Sequence, residues 1–73
     1  MEIISVKTFV DRKIYRRVPS VKETIHRNLE KQLLDLGASK ETIYFDAIDV
    51  DEKRCCLQTE VIAYGTILEN KET

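Results

Sequence analysis

The feature that most limits what this chain can fold into is a single apolar stripe at helical spacing, bracketed by a proline and a glycine. Val21, Ile25, Leu29, Leu33 and Leu36 recur at intervals of four, four, four and three, which sets them along one side of an α-helix. Pro19 holds Val18 extended ahead of the stripe. Ser20 and Glu23 have the spacing of a capping box, and Gly37 offers the left-handed residue on which helices end. The spacing therefore predicts a helix over residues 21 to 36. Leu34 falls on the opposite side, among Glu23, Arg27, Glu30 and Lys31, as a lone apolar residue on a polar surface.

No other segment repeats that period, and both flanks of the helix alternate instead. Glu2 to Val10 places Ile4, Val6, Thr8 and Val10 on one face of a strand, with Ile3 and Phe9 on the other. Ile43 to Val50 and Arg54 to Leu68 are rich in β-branched and aromatic residues and are separated by Asp51-Glu52-Lys53, so they read as a hairpin. A further short strand over Ile14 to Val18 could pair back on the first through Asp11-Arg12-Lys13. Both connectors begin Val-Asp, and an aspartate there can cap a type I turn through its side chain. The expected fold is α+β: a small antiparallel sheet of three or four strands in the order β, (β), α, β, β, with one helix packed across one face. It forms one domain over residues 1 to 68, and 69 to 73 read as a frayed tail.

One helix can cover only one face of such a sheet, and the other face is not cleanly polar. The last strand sets Cys55, Leu57, Thr59, Val61, Ala63, Gly65 and Ile67 on its core side, yet Ile62, Tyr64 and Leu68 lie on the opposite side. The middle strand divides Ile43, Phe45 and Ala47 from Tyr44, Ile48 and Val50 in the same way. Such a surplus can exceed what a soluble monomer usually leaves exposed. Two outcomes follow: a second chain covers it, or the long strand bends near Thr59 or Gly65 so that its faces exchange.

Size points toward the first. A chain of 73 residues buries only roughly 60–65% of its unfolded surface, so its core is thin and it gains from disulfides, a metal or oligomerisation. Its only two cysteines, Cys55 and Cys56, are adjacent, and His26 is its only histidine, so neither a disulfide framework nor a zinc site within one chain is expected. Oligomerisation is left. Candidate association residues are Ile3, Phe9, Leu34, Ile62, Tyr64 and Leu68. Apolar runs too short to span a bilayer, an N-terminus without the order of a signal peptide, and the reducing compartment that suits unpaired cysteines predict a cytoplasmic protein with no membrane partner.

Charge is divided end to end. Residues 1 to 40 carry nine Lys/Arg against five Asp/Glu, and residues 41 to 73 carry three against eight. The run Arg12-Lys13-Ile14-Tyr15-Arg16-Arg17 could contact phosphates, with Tyr15 stacking on an unpaired base. A net charge of −1 and the lack of any RNP, GXXG, zinc-finger or helix-turn-helix signature favour an acidic protein partner or a guarded strand edge instead. Asp46, Asp49, Asp51 and Glu52 lack the spacing and glycine of a calcium loop, and the first two lie on opposite strand faces, so no acid/base pair forms. His26 flanks the apolar stripe with no evident polar partner. No catalytic set, metal site or cofactor motif emerges.

The order strand, helix, strand, strand is similar to that of the dodecins, small oligomers that bind flavins. The resemblance is one of element order, and this chain has no tryptophan to stack a ligand. It carries no function across; the third possibility, an oligomer holding an aromatic ligand near Tyr44 or Tyr64, comes from the placement of these tyrosines on neighbouring elements. The leading expectation is a small, non-enzymatic, self-associating regulatory module that acts by protein–protein interaction, ahead of nucleic-acid binding and of small-molecule binding.

Overall fold

The computed structural model describes residues 1–51 and 57–68. Strand β1 runs from Glu2 to Asp11, followed by helix α1 (Arg12–Arg17) and helix α2 (Pro19–Asp35). A 3₁₀ turn (Lys40–Thr42) then leads into strands β2 (Tyr44–Asp51) and β3 (Leu57–Ile67). The sheet order is β1-β3-β2, with β3 antiparallel to both neighbours. The flanking strands are therefore parallel to each other, and α2 carries the chain across β3 from one edge to the other. This is the expected α+β architecture, with three strands. The tail expected over 69 to 73 lies outside the described residues.

Residues 14 to 18 form no strand. Asp11 turns the chain into α1 instead, its Oδ1 accepting from the amides of Lys13 (2.9 Å) and Ile14 (3.1 Å). Aspartate here caps a helix where the sequence suggested a hairpin turn. Six residues are too few to hold a helix alone. Tertiary anchoring does it: Tyr15 is 7% exposed within the core, and α1 packs against α2 and β3.

The two helices share one junction residue. The Val18 amide donates to the Ile14 carbonyl and closes α1, while the Val18 carbonyl accepts from Val21 and Lys22 and opens α2. Pro19 sits in the first turn, where its missing N–H costs nothing. The helix thus begins at Pro19, with Val18 in the capping position and no side chain bonded there. The Ser20/Glu23 capping box does not form, because Ser20 is already inside the helix. At the other end Gly37 adopts φ 104°, and the amides of Gly37 and Ala38 donate to Leu34 and Leu33 in a Schellman motif. Ala38 folds back onto Leu33, both buried. Spacing alone puts Leu36 on the stripe, but it falls at the capping residue and is left 57% exposed.

The core comprises Tyr15, Leu29, Leu33, Ala38, Val61 and Ala63, with Ile4, Val6, Val10, Ile25, Ile43 and Phe45 packed around it. The chain leaving α2 comes close to the sheet at Gly65. A Cβ there would stand 2.9 Å from that of Ala38, so only glycine fits without displacing backbone. Beside it the loop is stitched to β3: the Thr66 amide donates to Thr42 Oγ1 (2.8 Å) and the Ser39 amide to the Thr66 carbonyl (2.9 Å).

The pairing of β1 with β3 runs unbroken from Glu2↔Ile67 to Asp11↔Gln58. It passes both Thr59 and Gly65 without a bulge, so the faces of β3 do not exchange. The second sheet face keeps its apolar residues.

Candidate functional site

Each side of the sheet assembles one group of candidate residues. On the helix-covered side, Arg12 and Arg16 of α1 reach Asp49 of β2. Their guanidinium nitrogens lie 3.5 Å and 2.5 Å from Asp49 Oδ2, and Thr59 Oγ1 donates to Asp49 Oδ1 at 3.1 Å. Asp49 shares the core face with Thr59, its register partner, while Asp46 opposite Ile62 faces the other way. The basic run and the acidic strand are thus joined, and the division of charge seen along the sequence is partly closed inside the fold. Because these groups are partly open to solvent, the pairs hold α1 in place more than they add to stability.

Tyr15, the residue that could have stacked on a base, is buried. Its hydroxyl lies 2.8 Å from His26 Nε2, and the His26 ring stacks on Phe45 with centroids 4.2 Å apart and planes 5° apart. Burial, and then the charge of nearby Lys22, hold His26 below the usual histidine range, and burial raises the Tyr15 hydroxyl. A neutral imidazole accepting from the phenol fits both directions. Lys22 Nζ lies 5.5 Å from the Tyr15 ring centroid. His26 therefore has partners that sequence reasoning missed. The available signal was its place beside the stripe, which aims a side chain at the rim of a helix–sheet interface, where Phe45 stands on the core face.

The opposite side of the sheet has no covering element among the described residues. Its cross-strand rows follow from the register: Ser5–Tyr64–Tyr44, Lys7–Ile62–Asp46 and Phe9–Glu60–Ile48, with Ile3 beside Thr66. Ile3 (71%), Tyr44 (58%), Phe9 (50%) and Ile48 (46%) are exposed large apolar groups on this one surface, with half-buried Ile62 and Tyr64 between them. Tyr44 and Tyr64 stack at 4.9 Å, and Lys7 Nζ lies 3.2 Å from Glu60 Oε2.

The structure thus gathers Ile3, Phe9, Ile62 and Tyr64 onto one face and adds Tyr44 and Ile48. Leu34 is exposed on α2, on the side of the sheet away from them, and Leu68 lies just past β3. Arg12 and Arg16 bind Asp49, whereas Lys13 and Arg17 are exposed on α1. Glu52, Cys55 and Cys56 lie outside the described residues. Among the described residues, no group of three or more His, Cys, Asp or Glu could hold a metal ion, and no helix is long and apolar enough to cross a membrane. No protein-family model matches the chain, and no curated protein or solved structure is significantly similar to it.

Proposed function

We propose that this chain is a small, non-enzymatic, cytoplasmic regulatory module that self-associates and acts through protein–protein contact on its open sheet face. One observation carries the reading: Ile3, Phe9, Tyr44, Ile48, Ile62 and Tyr64 share a single uncovered surface of three strands in continuous register. Aromatic and aliphatic groups set around one row of opposite charges, Lys7 and Asp46, supply both the contact area and the orientation that an interface needs. The groups best suited to catalysis are engaged in holding the fold, His26 by Tyr15 and Phe45 and Asp49 by two arginines and Thr59. The nucleic-acid reading weakens accordingly, since its aromatic is buried and two of its cations are paired. Sedimentation equilibrium tests the proposal. A mass above the 8.5 kDa monomer at high micromolar concentration is expected, falling when Phe9→Ser is introduced. A monomer throughout overturns self-association.

A further inference from the structure

We infer that the occupant of the open face is a second copy of this chain, stacked face to face about a two-fold axis that runs along β3 and passes beside Ile62. The inference rests on the self-association reading and specifies its geometry. Rotation about an axis parallel to β3 exchanges the two sheet edges and leaves every row at its own height. β1 of one copy then lies over β2 of the other. Row by row, Lys7 faces Asp46 of the second copy, Phe9 faces its Ile48 and Ser5 faces its Tyr44, each contact occurring twice, while Ile62 and Tyr64 meet their own counterparts at the axis. Opposite charges meet at both edges of the central row, and Ile62 meets Ile62 between them.

Two other two-fold arrangements centred near Ile62 do worse. An axis lying across the strands at the Ile62 row stacks Lys7 on Lys7 and Asp46 on Asp46. Shifting that axis by half a row toward Glu60 sets Lys7 over Phe9 and Asp46 over Ile48, a charge on an apolar group each time. Like-charge contacts and unpaired buried charges are what a self-complementary patch must avoid. The face is also large enough. Three strands about 4.8 Å apart and about ten residues long measure roughly 500 Å² in plan, and side-chain relief brings this toward the ~800 Å² that each partner gives a standard interface. Among the described residues of β3, Glu60 is the charged group that this axis brings against its own copy, and Lys7, 3.2 Å away, offsets it.

The test is complementation. Lys7→Glu and Asp46→Lys should each weaken association about tenfold or more, because each sets like charges opposite one another twice. An equimolar mixture of the two variants should re-form a dimer. The carboxylate introduced at position 7 then faces the ammonium introduced at position 46, and the retained Asp46 of one chain faces the retained Lys7 of the other. Glu60→Gln should tighten the dimer. In a Cys55→Ser/Cys56→Ser background, Ile62→Cys should be joined into a covalent dimer by a short bismaleimide, which spans the roughly 10 Å between stacked sheets, and Leu34→Cys should not, a readout that does not depend on the charge variants folding. A wild-type chain that is monomeric throughout overturns both the self-association reading and this inference. A wild-type chain that associates, but whose charge variants do not complement and whose Ile62→Cys variant does not cross-link, overturns the axis and leaves the reading standing.

Discussion

The two faces of one short sheet are built to opposite rules. On the covered side β3 presents Thr59, Val61, Ala63 and Gly65, all buried and mostly small, and the chain leaving α2 lies so close that even a methyl at Gly65 would collide with Ala38. On the open side the same strand presents Gln58, Glu60, Ile62, Tyr64 and Thr66, flanked by Phe9, Tyr44 and Ile48. Small residues mark the face whose partner is fixed within the chain. Large amphipathic residues mark a face that leaves space for something added later, since they contribute contact area wherever the partner's surface stands.

The largest effects belong to the covered side. Leu33→Ala, at a fully buried position, should cost about 2–5 kcal/mol, enough to leave little folded protein in a domain this small; urea denaturation followed by circular dichroism measures it. Gly65→Val overpacks the contact with Ala38 and should cost about 1–3 kcal/mol by the same assay. Retention of wild-type stability in this variant would mean that the segment around Ala38 can move off the sheet. Asp49→Ala releases Arg12 and Arg16 and leaves Thr59 without its acceptor, a loss of about 1 kcal/mol, and should speed amide exchange in α1 more than in α2. On the open side, Ile48→Ser should change monomer stability by less than about 0.5 kcal/mol yet reduce association, which sedimentation reads directly.

Acidity separates the faces again. The folded state holds His26 below its ordinary pKa of 6.5, so the unfolded chain binds the proton more readily. Stability is therefore full above about pH 6.5 and is lost as pH falls through that value toward the lower folded-state pKa. Thermal melts between about pH 7.5 and 5 should show a declining Tm, and His26→Gln should flatten that decline.

Much of the covered side was legible in the sequence, because periodicity reports burial. The stripe of α2, the Gly37 terminus and the alternation of β1 and β3 all follow from spacing alone. The α1 segment was not, because its helicity is owed to an aspartate cap and to tertiary anchors on Tyr15 and Asp49, none of which leaves a periodic trace in six residues. The Ser20/Glu23 capping box misled for a related reason: Val18, already the end of one helix, also begins the next. The apolar members of the open face were visible as surplus, but their grouping into rows depends on register, which pairs residues 2 to 11 with residues 58 to 67. No local pattern encodes that match. Leu34 belonged to the same compositional surplus and lies on the other side of the molecule.

That same register governs the order in which the molecule can assemble. The β1 strand makes its ladder only with β3, joining Glu2 to Ile67, so every element between them must be present before the first strand has a partner. The pairing of β2 with β3 and the winding of α2 close far shorter loops and should come first, with β1 docking last onto the free edge of β3. During synthesis β1, carrying Ile3 and Phe9, emerges ahead of the rest of the sheet and is the last strand to find its place. Until then it is open to pairing with the same strand of a neighbouring nascent chain.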